Sequence, residues 1–82
     1  MSKEIKIRYR IIVHMVVQKV YIKENDIHNI NDVYKMRFSK VKDYAILEGF
    51  LVVSYYDDND NLQTKLISNK HIIDVDVESI EN

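Results

Sequence analysis

Residues 44–67, YAILEGFLVVSYYDDNDNLQTKLI, constrain the fold more than any other stretch, because two apolar runs flank the cluster Asp57-Asp58-Asn59-Asp60-Asn61. Runs rich in Val, Ile, Tyr and Phe suit a pleated surface, and Asx side chains bond their own backbone and tolerate left-handed geometry. The stretch therefore predicts a β-hairpin that turns at the Asp/Asn cluster. Its first strand is apolar on both faces: Ala45, Leu47, Leu51, Val53 and Tyr55 alternate with Ile46, Phe50, Val52 and Tyr56. Something must cover each face. Gly49, the only glycine in the chain, lies inside this run. An isolated glycine in a strand marks a bulge, a bend or a close backbone approach, so a curved strand is expected.

The N-terminal segment alternates strictly. Odd positions read Ile5, Ile7, Tyr9, Ile11, Val13, Met15 and Val17, whereas even positions begin with Lys6, Arg8 and Arg10 before turning apolar at Ile12 and Val16. This pattern predicts a strand. At about 3.3 Å per residue it spans roughly 43 Å, more than twice a typical strand, and so must bend or be shared between sheets. Gln18 and Lys19 break the alternation, and Val20 and Ile22 resume it on the opposite parity; a turn or bulge is expected between them. Residues 24–32, ENDIHNIND, read as a loop or a helix start. Beyond it two readings compete. Ile27, Ile30, Tyr34, Phe38 and Val41 fit a helical stripe capped by Asn25 or Asp26, while Tyr34, Met36 and Phe38 against Lys35, Arg37 and Ser39 fit a strand.

Leu62, Thr64 and Leu66 alternate with Gln63, Lys65 and Ile67 in the return strand of the hairpin, and Ser68-Asn69-Lys70 supplies a second tight connection. The last strand sets Ile73, Val75 and Val77 on one face and Asp74, Asp76 and Glu78 on the other, before a solvated tail. This acidic stripe mirrors the basic one. Opposite charges facing across neighbouring strands contribute roughly 0.2–1 kcal/mol per pair, which implies that the first and last strands are adjacent, with Lys6, Arg8 and Arg10 beside Asp74, Asp76 and Glu78.

The expected fold is a single domain over residues 1–82, mainly β. It is a small antiparallel sheet or barrel of about five strands with a bent N-terminal strand, and at most one helix within residues 26–41. The alternative is α+β, one helix packed on an antiparallel sheet. Twelve isoleucines and ten valines against one alanine and four leucines favour strands, since β-branched side chains lose rotamer freedom in helices. In architecture this arrangement resembles the small SH3-like barrels, which likewise bring terminal strands together around bent strands. Such a resemblance implies nothing specific about function.

Several function classes are excluded or disfavoured by composition. Without cysteine there are no disulfides, thiolate metal sites or cysteine nucleophiles. One glycine rules out a Gly-rich phosphate loop, and no serine sits in a nucleophile-elbow context. His14, His28 and His71 share no metal-ligand spacing. Residues 57–61 start like a calcium loop, but Leu62 stands where its turn glycine belongs and Ser68 where its bidentate glutamate belongs. No catalytic residue, metal site or cofactor is expected. Nor is a membrane span, because the longest apolar stretch, residues 11–17, contains His14 and is far too short. The N-terminus lacks an uninterrupted hydrophobic region and a small-residue cleavage site, so a cytoplasmic location is expected.

Net charge conceals a division. Residues 1–42 hold ten Lys/Arg against four Asp/Glu, and residues 43–82 hold two against nine. The expected function is a small non-enzymatic interaction protein that binds a basic surface of another protein through an acidic, tyrosine-bearing face: Tyr55, Tyr56, Asp57, Asp58 and Asp60. Abundant Ile, Lys, Asn and Tyr fit an AT-rich genome, and the small size suits a phage or mobile-element inhibitor, for example an anti-defence protein aimed at a host nuclease. One alternative is a small nucleic-acid-binding β-barrel using Lys6, Arg8, Tyr9 and Arg10. Another is a small-molecule-binding homo-oligomer. A homodimer is expected in each case, because a chain this small with two-sided apolar strands calls for a partner to cover them.

Overall fold

The computed structural model describes residues 4–80; part of the expected C-terminal tail, residues 81 and 82, lies outside the described residues. Five strands form one antiparallel sheet: β1 (Tyr9–Lys23), β2 (Asp26–Leu47), β3 (Phe50–Tyr56), β4 (Leu62–Ser68) and β5 (Ile72–Ser79). Their order is β4-β3-β2-β1-β5. The fold is thus mainly β, and the sheet stays open, with β4 and β5 as its two edges. The first and last strands are neighbours, as the charge stripes imply. Among the described residues the only helical element is the short 3₁₀ turn Asn69–His71, seated on the Ser68 cap between β4 and β5. Among the described residues no helix is long and apolar enough to cross a membrane.

Three local expectations change. Residues 26–41 form no helix. They run as strand from Asp26, pairing with β1 at Ile27↔Ile22, Val33↔Val16, Met36↔Val13 and Phe38↔Ile11. The Asn and Asp residues that suggested a loop are poor helix formers, and the paired strand offers the intervening apolar residues partners on both faces. Gln18 and Lys19 mark no turn or bulge, because β1 keeps register straight through Gln18↔Asn31 and Lys19↔Ile30. The turn falls instead at Glu24 and Asn25, both with positive φ (53° and 67°). That pair of left-handed residues is the signature of a two-residue hairpin turn whose twist matches its strands. Lastly, the single curved strand expected across Gly49 is two strands: Glu48 and Gly49 turn β2 into β3, with Gly49 at φ 87° and Leu47 opposite Phe50.

β2 carries the architecture. Its 22 residues pair with β1 up to Val41 and with β3 from Val41 onward, and register shifts flank this switch on both sides, between Phe38 and Val41 and between Val41 and Asp43. Bulges bend a strand and increase its twist. The bend folds the β3–β4 hairpin toward β1 and encloses a core of Ile11, Val13, Met15, Phe38, Val41, Leu51, Val53 and Ile67. A third shift, between the β1 positions His14 and Met15, places Ile72 beside Met15. Ile72 and Val75 then pack on the core while Ile73 is exposed, which corrects the simple alternation expected for the last strand.

Past the core, β1 and β2 continue alone. β5 pairs with β1 only as far as Met15, and β3 meets β2 only from Val41. Residues 16–23 and 26–33 therefore form a two-stranded arm, roughly 25 Å long at about 3.3 Å per residue. It accounts for the elongated outline of 61 × 25 × 20 Å.

Candidate protein-binding surface

The β3–β4 turn is built by Asp57. Its Oδ1 accepts hydrogen bonds from the backbone N–H groups of Asn59 and Asn61, both at 2.9 Å, and its Oδ2 accepts from Gln63 Nε2 at 3.1 Å. Asp57 N donates to Asn61 O and Asp60 N to Asp57 O, which closes the loop. Asp60, in left-handed geometry, takes an ion pair with Lys40 Nζ at 3.1 Å. Tyr55 turns inward, its ring 5.1 Å from that of Phe38. Tyr56 points to the opposite face, where its hydroxyl oxygen accepts from Lys6 N at 3.4 Å. Tyr55, Tyr56, Asp57 and Asp58 border one open groove of about 390 Å³ together with Arg37, Lys40 and Lys65. Asp60 is outside it. Two of the three aspartates at the tip thus hold local structure, and Asp58 is the exposed one.

On the outward face, register joins Tyr56 to an apolar surface that sequence reasoning did not single out. Tyr56 lies opposite Leu62, Val52 lies between Ala45 and Leu66, and Phe50 lies opposite Leu47. Directly opposed residues share a face, as do residues two apart. Leu66 is 65% exposed, and Leu47, Phe50 and Leu62 are about half exposed. The alternation of Phe50 with Val52 and of Leu62 with Leu66 carried the signal. A single strand across Gly49 hides that signal, because β2 and β3 are separate strands joined at Glu48 and Gly49. Asp43 lies in the polar rung of this face with Ser54 and Thr64, and the turn residues Glu48 and Asp58 flank it. None of these three acids makes an ion pair among the described residues.

The basic N-terminal set is dispersed. Lys6 sits 3.8 Å from Glu4, Arg10 is 3.7 Å from Glu78, and Tyr9 packs edge-on against Tyr44 with ring centres 5.0 Å apart. Arg8 engages through its backbone, N–H to Val41 O and carbonyl to Ile80 N. Of the expected β1–β5 charge ladder, only Arg10 and Glu78 meet. The register sets Ile12 opposite Asp76 and His14 opposite Asp74, which leaves Lys6 and Arg8 beyond the acidic stripe. Asp76 bonds His14 Nε2 at 2.8 Å instead.

His28 stacks on Tyr21 in the arm at 5.1 Å, and His71 lies in the 3₁₀ turn. Among the described residues no three metal-binding side chains converge. In the arm, Lys19 Nζ is 2.7 Å from Asp32. That hydrogen bond, with the charge of Asp32, raises the lysine above its ordinary 10.5. No protein-family model, curated protein or solved structure matches the chain.

Proposed function

We propose that this chain is a cytoplasmic, non-enzymatic binding protein that covers a basic-rimmed apolar site on another protein with the outward face of β2, β3 and β4. The observation that carries the reading is the outward face that bears Leu47, Phe50, Val52 and Leu66 and, across the polar rung of Thr64, Ser54 and Asp43, Tyr56 and Leu62, mostly exposed and flanked by the turn residues Glu48 and Asp58. An apolar patch with a polar rim marks a docking surface. Carboxylates without ion pairs at its edge suit a partner of opposite charge, raising the encounter rate and excluding wrong partners. A binder of this kind acts by occlusion, consistent with inhibition of a basic site.

The test compares wild type with Leu66→Asp and Asp58→Lys, immobilised and exposed to lysate of the source cells. A protein retained by wild type and lost by Leu66→Asp supports the reading. Substitution at a buried interface centre typically costs 2 kcal/mol or more, about thirtyfold in affinity, whereas the rim change slows association and reduces its salt dependence. Equal retention by wild type and Leu66→Asp overturns it. So does salt-sensitive oligonucleotide binding that Lys6, Arg8 and Arg10 substitutions abolish, which would favour the nucleic-acid alternative.

A further inference from the structure

Every residue from Gln18 to Asn31 is exposed, including Val20, Ile22 and Ile27, at 63%, 75% and 71%. Val33, 65% exposed, continues the same surface beside Val16, its cross-strand partner. A protruding two-stranded ribbon has few contacts to support it, and an isolated hairpin is marginally stable in water at best. Apolar surface of this kind calls for a cover.

We propose that the cover is the arm of a second copy, packed face to face and antiparallel about a twofold axis. The outward face of the arm reads, from tip to base, Ile22 with Ile27, Val20 with Asn29, Gln18 with Asn31, Val16 with Val33, and His14 with Lys35. This order is self-complementary about the level of Lys19 and Ile30. Turned over on itself, it sets Ile22 and Ile27 on Val16 and Val33 of the second copy, and the rung of Val20 and Asn29 on that of Gln18 and Asn31, where the amides can meet. The turn residues Glu24 and Asn25 then reach the level of His14 and Lys35. Glu24 and Lys35 make no ion pair within the chain among the described residues, so each gains a partner. Sheets packed this way lie about 10 Å apart, with strand directions within about 30° of each other.

Charge argues against nucleic acid as the occupant. Residues 16–33 contain Lys19 and Lys23 against Glu24, Asp26 and Asp32, and Lys19 is already held by Asp32. A phosphate backbone requires an excess of cations. The contact offers fewer residues per copy than the roughly 20–30 of a standard interface, so the dimer dissociates on dilution in the micromolar range.

Gel filtration with light scattering from about 1 to 100 μM tests this, with circular dichroism as the check on folding. Wild type is expected to shift from one chain to two with rising concentration. Ile22→Lys, a change at an exposed position, is expected to weaken dimerisation at least tenfold. Lys35→Glu weakens it several-fold, and Glu24→Lys in the same chain restores it. Asn25→Cys introduces a unique thiol for spin labelling; antiparallel arms hold the two labels roughly 30–40 Å apart at about 3.3 Å per residue. A monomer throughout, a dimer indifferent to Ile22→Lys, or labels within 20 Å of each other would overturn the proposal.

Discussion

Asp57 and Gly49 show how single residues set the turns of this sheet by different means. Asp57 works through acceptors, since three donors converge on its two oxygens. Asp57→Ala is expected to cost about 2 kcal/mol, because several backbone and side-chain donors lose a charged partner at once, and Asp57→Asn less. A urea melt measures both as a lower midpoint at unchanged slope. Gly49 works through conformational freedom. Its φ is 87°, and a side-chain carbon added there would meet nothing within 4 Å. Gly49→Ala therefore costs only the left-handed penalty, about 1–2 kcal/mol, with no steric component, and Gly49→Asn recovers part of it. The Asx turn was legible because its chemistry is local. The role of Gly49 was not, because a glycine inside an apolar run looks alike at a bulge and at a two-residue turn, and the cross-strand pairing of Leu47 with Phe50 decides between them.

At the scale of elements, the arm is the part least legible in the sequence. Its alternation is interrupted by Gln18 and Lys19 on one strand, which alone read as a turn or bulge, and by Asn29, Asn31 and Asp32 on the other, where residues 24–32 alone read as a loop or a helix start. Paired, these residues form polar rungs between apolar ones. Register across the hairpin is a tertiary property that outweighs local propensity. The arm is held by its own ladder and the core strands by neighbours on both sides, so amide protons of residues 18–31 are expected to exchange much faster than those of Ile11 and Val13 when the protein is monomeric. Comparable protection in arm and core at nanomolar concentration would contradict this. Within the arm, Asp32 stabilises the charged form of Lys19. A group raised in the folded state contributes stability below its ordinary value and loses that contribution as pH climbs through the raised one. The contribution of Lys19 to the arm is therefore fully present below 10.5 and is lost as pH climbs above it. Side-chain NMR titration is expected to show Lys19 deprotonating above 10.5, and Asp32→Asn to lower that midpoint.

At the scale of the molecule, eight buried apolar side chains among the described residues form the core while fourteen large ones are exposed, an imbalance that follows from an open sheet with an arm. The five-strand antiparallel class and the adjacency of the terminal strands could be read from alternation and from the opposed charge stripes. The openness of the sheet could not, because closure depends on whether the edges meet, and no local pattern encodes that. A small core makes stability sensitive to its few members. For 82 residues a typical stability is about 4–12 kcal/mol, and a small domain lies toward the lower end. Ile11 is fully buried near the start of β1, between Phe38 and Val77 on the neighbouring strands. Ile11→Val removes one methylene there and is expected to cost about 1 kcal/mol. The same change at Ile22, in the exposed arm, is expected to leave monomer stability within about 0.5 kcal/mol, the usual range for surface positions. Denaturant melts below the dimerisation range separate the two directly. Equal losses at both positions would mean that the arm folds back onto the body, contrary to a sheet whose core ends at Met15.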